Sequence, residues 1–295
     1  MTSRRRLVRV PASSANLGPG FDVLAAALSL NLEVEVSEDG EFSLDAGGAE
    51  VPNDRSNLCV RAFESLHSAD GLRFEIRNDI PLARGLGSSA AAIVAGLLAA
   101  DHLFELGLGR AEIYAQAVEL EGHPDNVAAA LWGGFVVCPR PDGGAAPPQP
   151  TRLEPPQGVE GVLVIPEGEV PTELARAALP PEVPFADAIA NVAAASQLVL
   201  GIERSDLGLI KRGLDDSLHQ RPRSGLYPRS FDLVGAASPL GALGGTISGA
   251  GPTVLVWSYW QDTGKVVEAL EPLCDGWAEI RRVPFSPLGA DVAEL

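Results

Sequence analysis

Apolar and polar positions alternate over 7–10 and 32–36, the period of half-buried strands, and shorter strands are expected over 42–44 and 74–76. Helical spacing then predicts helices over 58–69, 89–106, 110–120 and 124–131, the last ending at Gly133-Gly134 before a strand over 135–138. The segment 139–156 is dense in proline and glycine and reads as a surface excursion or connector. Beyond it the pattern restarts, with strands over 162–165, 246–247, 254–257 and 277–283 and helices within 186–202, 205–218 and 264–273. Strands and helices mingle without regular alternation. That predicts an α+β fold in two halves, 1–156 and 157–295, rather than a doubly wound sheet.

A chain of 295 residues has ample core for one large or two moderate domains. Its formal charge of −17 argues against coating nucleic acid or an anionic membrane, so neither is an expected partner. The longest apolar run, 90–100, is too short to span a bilayer. Lysine occurs only at 211 and 265, so arginine supplies the cations. Three widely spaced cysteines, Cys59, Cys138 and Cys274, suit neither a disulfide framework nor a zinc site, and the N-terminus lacks a secretory apolar region. A cytoplasmic location is expected.

The chemistry gathers in five segments. Pro81-Leu82-Ala83-Arg84-Gly85-Leu86-Gly87-Ser88-Ser89-Ala90-Ala91 is a glycine turn opening into a helix N-terminus, where unpaired N–H groups form an anion site and hydroxyls can meet a hard cation. It is not a Walker loop, because no Lys-Ser/Thr follows the glycines, and a serine-capped core helix would read the same way locally. The loop over 11–22 holds Ser13, Ser14, Asn16 and Asp22 after a strand, which suits a small polar ligand or an Asx-type turn. Glu121 stands at a helix break before Asp125-Asn126, where a carboxylate could complete a magnesium site with a serine hydroxyl. His123 beside it reads as a loop histidine without a chemical role. A second glycine turn, 248–254, enters a strand, and Arg221 and Arg223 stand in a proline-framed stretch where a guanidinium could fork onto a carboxylate.

In this order the segments resemble the GHMP small-molecule kinase superfamily, over about residues 8 to 257, and the Ser-Ala-Asn-Leu-Gly-Pro-Gly-Phe-Asp stretch ending at Asp22 resembles its homoserine kinase branch. The resemblance implies an N-terminal ribosomal-protein-like ATP-binding domain over 1–156 and a ferredoxin-like C-terminal domain over 157–295, with the active site between them. It implies phosphorylation of L-homoserine by ATP for threonine synthesis, with another small alcohol such as mevalonate or shikimate as the alternative. Residues 81–91 would form the ATP loop, Asn57 would lie near the adenine, and Ser89 with Glu121 would hold Mg²⁺. Asp22 would take the substrate ammonium, Asn16 and Asn126 would position its hydroxyl, and Arg223 would bind its carboxylate. Asn126 would hold the hydroxyl in line, and Asp125 would cap its helix first and serve as base second. No arginine stands at 190–194, so Asn191 or Ser196 is expected to help Arg223. A homodimer is the expected assembly.

Overall fold

Strand β1 (Arg5–Ala15) and strand β2 (Leu24–Glu38) pair antiparallel along nearly their whole length, with an irregularity at Pro11/Ala12. Both run past the alternating stretches because their inner residues are small and buried, so the period fades while the ladder continues. The computed structural model describes residues 4–48, 51–140 and 147–295. Among them, β3 (Ser43–Asp45), β4 (Leu72–Asn78), β5 (Phe135–Val137), β6 (Thr151–Leu153) and a C-terminal strand β11 (Asp291–Glu294) join β1 and β2. The path through this sheet is β11-β1-β2-β4-β3, with β5 pairing β2 and β6 pairing β5. Of the connector expected at 139–156, residues 141–146 lie outside the described residues, and β6 belongs to its far end.

Helices α1 (Leu58–Glu64), α2 (Ser88–Phe104), α3 (Arg110–Glu121) and α4 (Pro124–Trp132) cover one face of that sheet. The alanine-rich α2 is buried nearly throughout and lies against β1, β2, α1 and α4; its small side chains allow that close approach. Gly96 faces the backbone of α1, where a Cβ would stand 2.1 Å from the Cys59 carbonyl oxygen.

The second sheet orders β10-β7-β9-β8, from β7 (Val159–Pro166), β8 (Gly244–Ile247), β9 (Val254–Tyr259) and β10 (Ala278–Val283). Its helices are α5 (Thr172–Ala177), α6 (Phe185–Arg204), α7 (Leu207–Arg212), α8 (Pro228–Ala237) and α9 (Thr263–Cys274). Among the described residues α6 alone is long and apolar enough to cross a membrane, yet Asn191, Ala194, Leu198, Gly201 and Ile202 are buried in the protein. One core cluster joins the two sheets, where Phe135 and Phe285 meet Trp257 with ring centroids 5.7 and 5.1 Å away, and a second lies within the C-terminal half around Val162, Leu233 and Leu270.

Candidate active site

Helix α2 begins at Ser88, and its cap is Gly87 at φ +69°, with no side chain capping the first turn. The serines are therefore inside the helix, and the first N–H groups stay open to an anion. Gly87 has no room for a side chain, since a Cβ would stand 2.1 Å from Ser13 Oγ. Gly85 meets the second glycine turn: Ser248 Oγ donates to its carbonyl at 2.7 Å, and a Cβ there would stand 2.2 Å from the Ser248 carbonyl oxygen. The two glycine turns, 163 residues apart in sequence, are thus stacked directly on one another.

Ser89 donates to Glu121 Oε2 at 2.6 Å, joining the start of α2 to the end of α3. Burial raises the Glu121 carboxyl above its ordinary value, while the Ser89 hydrogen bond and His123 oppose that shift. A hydroxyl and a carboxylate oxygen beside open amides are the hard donors Mg²⁺ takes, with phosphate and water completing its shell, so this pair fits the ion. His123 lies between carboxylates, with Nδ1 3.1 Å from Asp125 Oδ1 and Nε2 3.8 Å from Glu121 Oε1. Burial depresses its basicity, but the Asp125 hydrogen bond and both carboxylates override that and raise it. His123 stands at the N-cap position of α4, its side chain making no capping hydrogen bond, and lines the cleft. Asp125, one place after Pro124, is not the cap; its buried Oδ1 also accepts the Asn126 N–H at 2.7 Å. Asn126 receives Ser13 Oγ–H on its Oδ1 at 2.8 Å, and its amide nitrogen keeps no partner among the described residues.

Across the cleft, β1 runs out into three left-handed residues, Asn16, Leu17 and Gly18, and Asp22 is left-handed too. Asn16 braces this loop by accepting the Asp22 N–H at 3.0 Å and donating to the Gly249 carbonyl at 2.8 Å. Asn191 donates to the Pro19 carbonyl at 2.7 Å and accepts the Ser217 N–H, so its amide is spent on structure. Ser196 bonds back to the Val192 carbonyl within α6. Neither lines the cleft beside Arg223, where help with a carboxylate was expected. That role has an unforeseen candidate in Arg176 of α5, which forms a bidentate pair with Asp22 at 2.9 and 2.9 Å. Arg223 is buried without a carboxylate partner among the described residues; Nε donates to the Ala175 carbonyl and Nη1 to His219 Nδ1. Its guanidinium lies over the Phe21 ring, 5.1 Å from the centroid, and beside the Tyr227 hydroxyl.

One cleft collects Asn16, Asp22, Ala83, Gly85 to Ser89, Glu121, His123, Asp125, Asn126, Arg176 and Arg223. Asn57 lies outside it, capping α1 through the Cys59 N–H and lining an adjoining apolar hollow with Leu82, Ser88 and Ser89. The Arg84 guanidinium also points elsewhere, to the carbonyls of Pro166 and Glu167, while Pro81 and Leu82 line a separate groove with it. Ala90 and Ala91 are buried in α2.

Open amides with a hard-oxygen pair, facing a wall that carries both charges, meet the needs of phosphoryl transfer to a small polar alcohol, and the class so defined is a small-molecule kinase. Family models agree: GHMP kinases N terminal domain matches residues 57–134, and GHMP kinases C terminal matches 198–279. The chain is 41% identical over 266 residues to homoserine kinase of Thermus thermophilus, covering 88% of this chain and 89% of that one. It is 40% identical over 259 residues to homoserine kinase of Moorella thermoacetica, covering 85% and 86%. The crystal structure of homoserine kinase from Cytophaga hutchinsonii superposes with a TM-score of 0.86 at 30% identity, over 99% of this chain and 98% of that one. The chain belongs to the homoserine kinases of the GHMP kinase family. Like other GHMP kinases it is an ATP-dependent enzyme.

Proposed function

We propose that this enzyme transfers the γ-phosphoryl group of ATP to the side-chain hydroxyl of L-homoserine, giving O-phospho-L-homoserine. The observation that carries the reading is the Asp22–Arg176 pair with the buried Arg223 beside it, which has no carboxylate partner among the described residues, opposite Ser89 and Glu121. An α-amino acid brings one ammonium and one carboxylate. Its ammonium replaces Arg176 as the partner of Asp22, and its carboxylate takes the forks of Arg176 and Arg223, so every charge stays paired. Asn126, fixed through Ser13, turns its free amide N–H toward the substrate oxygen, and Asn16 keeps the Asp22 loop in its strained turn.

The amides of 85–89 receive the phosphates, and the nucleoside extends into the hollow beside Asn57. Ser89 and Glu121 hold Mg²⁺, which when bound offsets negative charge on the phosphate oxygens. Asp125 spends one oxygen on His123 and the Asn126 backbone, so it acts chiefly by orienting these neighbours. Positioning and charge balance carry the reaction. A homodimer and a cytoplasmic location complete the reading. The first is supported by exposed Phe185, Ile189 and Val192 on α6, which has no charged residue between Asp187 and Glu203, and the second by three buried free thiols.

ADP release measured with L-homoserine, mevalonate and shikimate at equal concentration tests the assignment. Turnover should be confined to L-homoserine and to analogues that keep both the ammonium and the carboxylate. Equal turnover of an alcohol without an ammonium group would remove Asp22 from the site.

A further inference from the structure

We propose that Arg84 is a positioning residue that ties the glycine loop to the segment carrying the amino-acid clamp, and that it does not act as a phosphate-binding cation. Its position in the loop suggests a cation for ATP, but the geometry points the other way. Nε donates to the Pro166 carbonyl at 2.9 Å, Nη2 to the Glu167 carbonyl at 2.5 Å, and Nη1 to the Leu82 carbonyl and Glu169 Oε1, both at 2.9 Å. Four of its five N–H groups are thus engaged, and the side chain is only 17% exposed.

What it holds matters more than what it avoids. Pro166 ends β7, and the chain leaving it forms the cleft wall at Val170, Pro171 and Thr172 before entering α5. The far end of the same stretch is fixed by Arg223 on the Ala175 carbonyl and by Asp22 on Arg176. Residues 166–176 are therefore a strap anchored at its start by the glycine loop and at its end by the clamp residues themselves. Gly85, the next residue along, is wedged against the Ser248 turn, so the anchor is itself held in place by packing. The fork contacts two successive carbonyls and a carboxylate, a planar arrangement that an ammonium cannot copy. Phosphoryl donor and acceptor are thereby held in register through one side chain. This inference rests on the site binding an amino acid beside ATP.

The test is the split in Michaelis constants in Arg84→Met and Arg84→Lys, together with hydrogen exchange of the ligand-free proteins. Both variants should raise KM for L-homoserine roughly tenfold while KM for ATP changes by less than about threefold. Exchange should rise over 167–176 and stay unchanged over 86–92. If Arg84→Met is too unstable to assay, Glu169→Ala removes one arm of the fork and should raise KM for L-homoserine about twofold. A rise in KM for ATP matching that for L-homoserine, or full activity in Arg84→Lys, would overturn the proposal. Unchanged exchange over 167–176 in Arg84→Met would overturn it too, even if L-homoserine proved not to be the substrate.

Discussion

His219 makes two hydrogen bonds that together permit one tautomer. Nε2 lies 2.8 Å from the Gly18 carbonyl and must donate to it, which leaves Nδ1 to accept from Arg223 Nη1. A protonated ring would set a second N–H against a guanidinium. Burial lowers the basicity of His219 below the ordinary value of 6.5, opposed by Asp216 and aided by Arg223. A depressed histidine leaves the unfolded chain binding more protons between the folded value and 6.5. Stability from this residue is therefore complete above that window and is lost as pH falls through it. The urea midpoint should drop between pH 7.5 and 5.5, and His219→Gln should flatten that drop; an equal drop in the variant would remove His219 as its cause. Gly87→Ala is the complementary steric test, because the new methyl meets Ser13 Oγ in a left-handed residue. It should abolish turnover and lower stability by about 1–3 kcal/mol in urea unfolding.

Helix α5 shows how one short element can hide a residue of the candidate cleft. Its six residues sit between prolines at 166, 171, 180, 181 and 184, a composition that reads as loop, and so Arg176 went unrecognised. Helix α8 was missed for a related reason: Pro228 looks like a terminator but occupies the first helical turn, where proline needs no N–H partner. By contrast, the start of α2, the end of α3 and the two glycine turns were legible, because each combines turn chemistry with a helix or strand boundary, whereas the stacking of those turns was not. Pairings such as Asp22 with Arg176 join residues 154 apart, and no local pattern encodes them. Helix α7 stops at Arg212, short of the expected 218, because Gly213 packs against the backbone of Leu198 and Asp216 turns its carboxylate onto following N–H groups. Arg176→Ala should raise KM for L-homoserine tenfold to a hundredfold, as expected for about 1.5–3 kcal/mol from charged hydrogen bonds, with kcat changed far less. An unchanged KM would remove α5 from the clamp. At α6, Val192→Glu sets like charges against each other in the expected dimer, and sedimentation should then report a monomer; an unaltered mass would exclude this face.

At the scale of the whole molecule, aromatic packing joins the two sheets. Trp257 is fully buried, donates to Thr246 Oγ1 at 3.1 Å, and touches rings from β5 and from the stretch after β10. Trp257→Ala should cost about 3–5 kcal/mol. Unfolding by fluorescence and by circular dichroism should still coincide, and separated transitions would show that the halves melt independently. Strand β11 adds a consequence for synthesis. It pairs with β1 from Arg6–Glu294 to Arg9–Asp291, and Gly289 packs where a Cβ would stand 2.3 Å from the Leu131 carbonyl oxygen. A ribosome delivers β1 to β5 long before residues 285–294 leave the exit tunnel. Until then β1 offers an open strand edge to any neighbouring nascent chain, and β11 takes up that edge only once it emerges.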